Sequence, residues 1–246
     1  MNIADSTVLV TGGASGIGLA LARRFHAAGA TVAICGRRED RLAQVASELP
    51  GLITRICDLS RPEERRLLAE WLVREVPALN VLVNNAGVQR YPRLTGGEGD
   101  WGATDEEIAI NFAAPIHLTA LLVPHLIRQA DPAIVNVTSG LAFVPLARAP
   151  VYSATKAALH SFTLSLRHQL AATPISVIEL APPAVNTDLG GPGLHTFGVN
   201  LDEFADAVFP RLRAGDLEIG YGFAEQAQRA SRQELDEIFR RMNQER

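Results

Sequence analysis

The sequence predicts an α/β fold built on one doubly wound parallel sheet with helices on both faces. Short apolar, β-branched runs alternate with helix-like stretches along the whole chain, the pattern of successive βαβ units. A glycine-rich turn sits between the first such run and the first helix. The 246 residues are 47% hydrophobic and 20% charged, enough to bury a substantial core and inconsistent with disorder. No repeat and no linker divides the chain, so residues 1–246 are expected to form a single domain.

Composition removes several function classes. A net charge of -4 and a pI near 5.9 give no basic footprint for nucleic acid. Cys35 and Cys57 fall in apolar runs without metal or redox spacing and read as buried thiols. The six histidines form no H-x-x-x-H pattern, so no metal site is expected. The N-terminus lacks a basic segment followed by an apolar one, so no secretory signal is read. The apolar stretch Ala113 to Ile127 is broken by His117, His125 and two prolines and falls short of a membrane span. A soluble, cytoplasmic protein is expected.

Thr7 to Val10 is the first strand, and Thr11-Gly12-Gly13-Ala14-Ser15-Gly16-Ile17-Gly18 leads into a helix through Phe25. Small residues there let backbone N–H groups approach a pyrophosphate, and the helix N-terminus adds its positive end. Thr31 to Cys35 is the second strand. Gly36-Arg37-Arg38 follows it, where a carboxylate would hydrogen-bond the ribose 2′-hydroxyl of NAD and arginine would accommodate the 2′-phosphate of NADP. NADP(H) is favoured; the bland alternative is a solvated helix start. Leu52 to Cys57 is the third strand. Asp58-Leu59 after it offers either an acceptor for the adenine amino group or ordinary loop polarity.

Ser60 to Glu63 has capping-box spacing for a helix to about Val76. Val81 to Val83 is the fourth strand, closed by Asn84-Asn85-Ala86-Gly87. Residues 92–103 read as an irregular surface loop. Thr104 to Glu107 repeats the capping-box spacing and is expected to open a long helix that carries Asn111 and bends near Pro115. Ala133 to Thr138 is the fifth strand, and Pro150 opens a helix to about Ala172. Ile175 to Leu180 is the sixth strand, followed by Pro182-Pro183-Ala184-Val185-Asn186-Thr187. Residues 189–200 read as a mobile substrate loop, 202–213 as a helix and 217–221 as a last strand. Ser231 and Glu234 cap a C-terminal helix over about 231–242.

The fifth strand delivers Ser139 to the sheet edge that bears the glycine turn. On the next helix Tyr152 and Lys156 stand four residues apart and share a face. Of the 23 basic residues Lys156 is the only lysine. A compact ammonium does what a planar guanidinium cannot, and the tyrosine one turn away is its nearest task. Taken singly, Ser139 could be strand-end polarity, Tyr152 a core aromatic and Asn111 a locally satisfied helix residue.

Together these residues resemble the short-chain dehydrogenase/reductase family in its shorter, single-domain group, over about residues 5–222. The glycine turn, Asn84 to Gly87, Asn111, Ser139, Tyr152-x-x-x-Lys156 and Pro182-x-x-Val185-x-Thr187 fall in the family's order. The resemblance implies a seven-stranded Rossmann sheet and reversible hydride transfer between NADP(H) and a carbonyl or secondary alcohol. It assigns Tyr152 as general acid/base, with its phenol lowered by Lys156, and Ser139 as the orienter of the substrate oxygen. Asn111 would hold a water of a proton relay. Gly12, Ser15, Gly16, Ile17, Gly18, Arg37, Arg38, Asp58, Leu59, Asn85, Ala86, Gly87, Tyr152, Lys156, Pro182, Val185 and Thr187 would hold the cofactor.

Family members commonly form dimers or tetramers by pairing the helices that would here carry Asn111 and Tyr152. The chain departs from the family at Pro183, where glycine is usual. The tail from Ser231 to Met242 also looks like a bacterial subgroup associated with D-alanine transfer. Gln89, Tyr91, Leu141, Phe143 and residues 189–200 would wall a pocket for a neutral, fairly hydrophobic substrate, with Arg90 and Arg93 nearby. A non-catalytic NADP-binding sensor or cell-envelope accessory scaffold is the competing class; it would be favoured by a missing Ser139, Tyr152 or Lys156, and all three are present.

Overall fold

The structure, a computed structural model, describes residues 2–93, 97 and 100–244. Seven strands form one parallel sheet in the order β3-β2-β1-β4-β5-β6-β7. They are β1 (Thr7–Thr11), β2 (Thr31–Gly36), β3 (Ile53–Ile56), β4 (Val81–Asn84), β5 (Ala133–Val137), β6 (Ser176–Ala181) and β7 (Glu218–Gly220). Winding reverses between β1 and β4, which opens a crevice at the carboxyl ends of these two strands.

Alternation along each strand sorts the core into two layers. Val8, Val10, Val81 and Val83 pack on one face with Phe25 of α1 (Gly16–Ala27), Leu42 of α2 (Glu39–Glu48) and Phe204 of α7 (Leu201–Ala214). Leu9 and Leu82 point to the other face. There they meet Leu72 of α3 (Pro62–Glu75), and Leu118 and Leu122 of the helix that follows β4.

That helix runs without a break from Trp101 to Leu126 in three pieces: α4 (Trp101–Ile108), a π-helical turn (Ala109–Ala113) and α5 (Ala114–Leu126). The irregularity precedes Pro115, the residue near which a bend was expected. Pro115 has no N–H for the Asn111 carbonyl, and the Ala114 N–H reaches back five residues to the Ala109 carbonyl. By length and composition this is the one helix among the described residues able to cross a membrane. It is nonetheless a core helix, with Glu107, Asn111, Leu122 and Leu126 fully buried.

Neither of the first two expected capping boxes forms. The helix after β3 starts at Pro62, with Arg61 at its N-cap and no side-chain cap. Ser60 instead turns back, its N–H and hydroxyl both donating to Asp58 Oδ1 at 3.0 and 2.7 Å. The helix after β4 starts three residues early, at Trp101, where Asp100 accepts from the Ala103 N–H at 3.0 Å. Earlier in that surface loop, 94–96, 98 and 99 lie outside the described residues.

The helix α6 (Pro150–Gln169) ends slightly sooner than expected. Residues 189–200 hold turns and no regular element, tied at the base by a Val185–Val199 bridge. The third capping box does form: the Ser231 N–H donates to Glu234 Oε2 at 2.7 Å and the Glu234 N–H to Ser231 Oγ at 3.4 Å, opening α9 (Arg232–Met242). One helix was not foreseen, α8 (Phe223–Arg229). Its Phe223 lies against Gly140, where an added Cβ would stand 3.0 Å from Phe223 Cδ1.

Candidate active site

A cleft of about 1000 Å³ follows the carboxyl edge of the sheet from the glycine turn to Ser139 and the loop after β6. At its floor Thr11 Oγ1 accepts from the N–H groups of Asn85 and Ala86 at 2.9 and 3.0 Å and donates to the Val83 carbonyl at 3.2 Å. Asn85 Nδ2 donates to the Thr11 carbonyl at 2.9 Å. These bonds lock the Asn85-Ala86-Gly87 turn against the glycine turn. Two glycines are required there. Gly12 has φ +66°, and a Cβ on it would lie 3.0 Å from Ala86 Cα. A Cβ on Gly18 would meet Asn85 Nδ2 at 2.4 Å.

Beyond β2 the two expected arginines diverge. Arg38 donates to Ser15 Oγ at 2.9 Å, so its guanidinium joins the glycine turn at the α1 N-terminus. Arg37 pairs instead with Glu106, which also receives Arg90 at 2.6 Å. Arg41, one turn into α2, lines the same end of the cleft. Asp58 stands at the β3 end. Burial raises its carboxyl, but the two Ser60 bonds and the charges of Arg37 and Arg61 outweigh burial and hold it below its usual value. Leu59 beside it is buried.

At the other end Ser139, Tyr152 and Lys156 come together, all buried. Ser139 Oγ accepts from the Leu141 N–H at 3.1 Å and also engages the Tyr152 phenol. Lys156 Nζ lies 5.6 Å from the centre of the Tyr152 ring and donates to the Val137 carbonyl at 2.8 Å. Burial pushes the lysine down to about 8. The expected lowering of the phenol by Lys156 does not appear. Burial raises Tyr152 and the negative charge of Glu107 adds to this, while only the Ser139 hydroxyl opposes it. The ammonium donates to the Val137 carbonyl, and burial is the largest influence on the phenol.

Asn111 uses its side chain to join elements. Its Oδ1 accepts from the Val88 N–H at 2.9 Å, and its Nδ2 donates to the Val88 carbonyl at 2.8 Å and to Thr155 Oγ1 at 3.3 Å. Gly87 lies between it and Lys156, since a Cβ there would be 3.4 Å from Asn111 Oδ1 and 3.7 Å from Lys156 Nζ. In the loop after β6, the Pro182 carbonyl accepts from the Gly140 N–H at 2.8 Å and Val185 is buried. Thr187 faces Gly16 across the cleft, 3.5 Å from where a Cβ would be. Pro183, which offers no N–H, also lines the cleft.

Sequence reasoning missed three groups and included a fourth, His195, only as part of the 189–200 loop. Glu106 and Glu107 read as helix-cap acids, yet Glu106 pairs with two arginines and Glu107 is fully buried. Their signal was position: Glu107 lies one helical turn before Asn111 and so shares its face. Arg148 and His195 come from two loops and meet only in three dimensions.

The family model described as short chain dehydrogenase matches residues 6–194. The chain belongs to this family. Among curated short-chain dehydrogenase relatives, the "Uncharacterized oxidoreductase DltE" of Bacillus subtilis (strain 168) is 47% identical over 99% of this chain and 98% of its own length. This places the chain with the DltE-like subgroup of the short-chain dehydrogenases, and it is an oxidoreductase of that family. A short chain dehydrogenase from Burkholderia cenocepacia J2315, solved in complex with NADP, superposes with TM-score 0.83 at 27% identity over 97% of this chain and 99% of the other. One from Sphingobium yanoikuyae, in complex with NADPH, gives 0.80 at 28% identity over 94% and 95%.

Proposed function

We propose that the protein transfers hydride reversibly between NADP(H) and a carbonyl or secondary alcohol, with Tyr152 as the general acid and base. The observation that carries this is the cleft itself: a glycine cradle with the Arg38 guanidinium, bonded to a serine hydroxyl, at one end and a buried hydroxyl–phenol–ammonium cluster at the other. The cradle fits a dinucleotide. Cβ atoms at Gly12 and Gly18 would collide with the neighbouring turn, while one at Gly36 would meet nothing within 4 Å, leaving room beside β2.

Gly12, Ser15, Gly16, Ile17 and Gly18 would hold the pyrophosphate at the α1 N-terminus. Arg38, with Arg37 behind it, would take the 2′-phosphate. Asp58 and Leu59 would border the adenine, and Asn85, Ala86 and Gly87 the central riboses. Pro182, Val185 and Thr187 would border the nicotinamide. Two short-chain dehydrogenases solved with NADP or NADPH, at 27% and 28% identity, support this cofactor.

When bound, the nicotinamide supplies the hydride or accepts it. The chain's own residues must then manage one proton and one developing alkoxide. Ser139 is a hydroxyl donor beside the phenol and orients the substrate oxygen. Tyr152 gives the proton in reduction and takes it in oxidation. A phenol raised by burial stays protonated at neutral pH, although burial also makes it a weaker acid. For the reverse direction, positive charge near the phenol must lower it, and Lys156 is the chain's one candidate. Lys156, titrating near 8, is a proton store close to working pH. Asn111 fixes the turn beside it and completes the relay to solvent.

We further propose a single domain over residues 1–246, a cytoplasmic location, and a homodimer or homotetramer through the helices bearing Asn111 and Tyr152. Tyr152→Phe tests the reading. It should fold and bind NADPH, yet lose carbonyl reduction by about 10²- to 10⁴-fold, the usual contribution of a general acid. Turnover within a few-fold of the parent would remove Tyr152 from its role.

A further inference from the structure

The arginines along the cleft differ in how they are compensated. In the middle, Arg37 and Arg90 share the carboxylate of Glu106. At the glycine-turn end, Arg38 and Arg41 bond to neutral oxygens of Ser15 and Gln44, as an incoming phosphate requires. The opposite end, past Ser139 and Tyr152, repeats the second arrangement. There the cleft adjoins a cavity of about 720 Å³, and Tyr91 and Arg148 line both. Among the described residues Arg93 and Arg148 are its charged ones, Pro92 and Leu194 are among its apolar ones, and none is an acid. No ion pair joins either arginine to a carboxylate among the described residues. Asp188, an acid on the cleft wall, is exposed.

Arg148 is held in place rather than left to wander. Its guanidinium carbon lies 5.5 Å from the centre of the Tyr91 ring, within cation–π range. The loop before it is clamped by Asn243 at the end of α9, which accepts from the Ala147 N–H at 2.6 Å and donates to the Pro145 carbonyl at 3.1 Å. Beside it His195 is only 8% exposed, lines the cleft, and leaves Nδ1 without a partner. Burial and the Arg148 charge push its imidazole down against a bond at Leu189. Arg148 is exposed to this cavity and pairs with no carboxylate among the described residues, so its guanidinium is open to a ligand oxygen.

We propose that the substrate carries an anionic end, a carboxylate or phosphate, bound by Arg148 with Arg93 and separated by an apolar body from the carbonyl that faces Tyr152. This rests on the carbonyl-reduction reading above and names its substrate class. It replaces the neutral substrate expected from the sequence, where Arg148 was not placed in the pocket.

The test is steady-state NADPH oxidation with short ω-oxo acids, the matching ω-oxoalkyl phosphates, and the methyl esters of the acids. The parent protein should favour one anionic class over the esters by about tenfold in kcat/KM at low salt, the scale of one charge-assisted contact at a partly open site. Which class wins tells carboxylate from phosphate. Arg148→Ala should erase that preference by raising KM for the anions while leaving the ester KM unchanged. Esters that match both anionic classes in the parent, or a preference that survives in an Arg93→Ala/Arg148→Ala double variant, overturn the proposal.

Should no aldehyde be reduced, calorimetric titration of the NADP-loaded protein with an ω-hydroxy acid, its phosphate analogue and its methyl ester separates the two readings. Anion-selective binding lost in Arg148→Ala upholds the anion site and sinks only the reaction assignment. Binding without anion selectivity sinks the site.

Discussion

Replacing Glu107 by Gln should change how stability depends on pH. The carboxyl is fully buried, Oε1 accepts one backbone N–H from Arg90 at 3.1 Å, and Oε2 has no partner. The Arg90 guanidinium is turned away to Glu106. Burial therefore dominates and lifts Glu107 from 4.5 to about 7. A folded value above the unfolded one means that the native state binds the proton more tightly. The linked stability is fully present below 4.5, falls as pH rises through about 7, and is constant above that.

At about 1.4 kcal/mol per pH unit, this rise corresponds to about 3 kcal/mol lost across the window. The amide keeps the acceptor for Arg90 and cannot ionise. Urea denaturation of both proteins at pH values below 4.5, near 7 and above 8 should show the parent losing about 3 kcal/mol relative to Glu107→Gln between the extremes. Parallel stability curves for the two proteins would refute the argument.

Arg38→Ala should weaken NADPH binding by about tenfold or more and leave NADH binding nearly unchanged, read by fluorescence titration; an equal loss for both would detach Arg38 from the 2′-phosphate. His160→Ala should destabilise by about 2–3 kcal/mol at pH 6, since it leaves the buried Glu179 carboxylate with only Thr138 as a side-chain donor. The bond to Glu179 raises His160 above its ordinary value, so its contribution is full below 6.5 and lost as pH rises through the higher folded value. The penalty at pH 9 should be clearly smaller, and a penalty independent of pH would refute the ion-pair account.

Strands were legible because each central strand is a short apolar run covered on both faces, a pattern written locally in Val8 to Val10 and Val81 to Val83. The buried cluster was legible because its spacing is local, four residues from Tyr152 to Lys156. Helix starts were less so. The Ser-x-x-Glu spacing at Ser231 made a true box, but the same spacing at Ser60 did not. There Asp58 lay within reach of the serine, and Pro62 took the first helical position with no N–H to cap. The spacing states what a serine can do, and its neighbours decide whether it does.

The same limit explains the charged groups of the cleft. Glu106 is one acid on an exposed-looking helix start until the fold brings to it Arg37 from the segment after β2 and Arg90 from the segment after β4. One carboxylate then pairs with both guanidiniums in the middle of the cleft, while those at its ends have no carboxylate partner among the described residues. In the sequence Arg37 and Arg38 are adjacent and equivalent. In the fold one is bound to Glu106 and the other reaches Ser15 at the glycine turn. Selectivity for an anion is set by which guanidiniums lack a carboxylate, a property of pairs drawn from distant segments. That is why membership of an oxidoreductase family could be read along the chain, whereas the proposed charge of the substrate required the two ends of the cleft to be seen together.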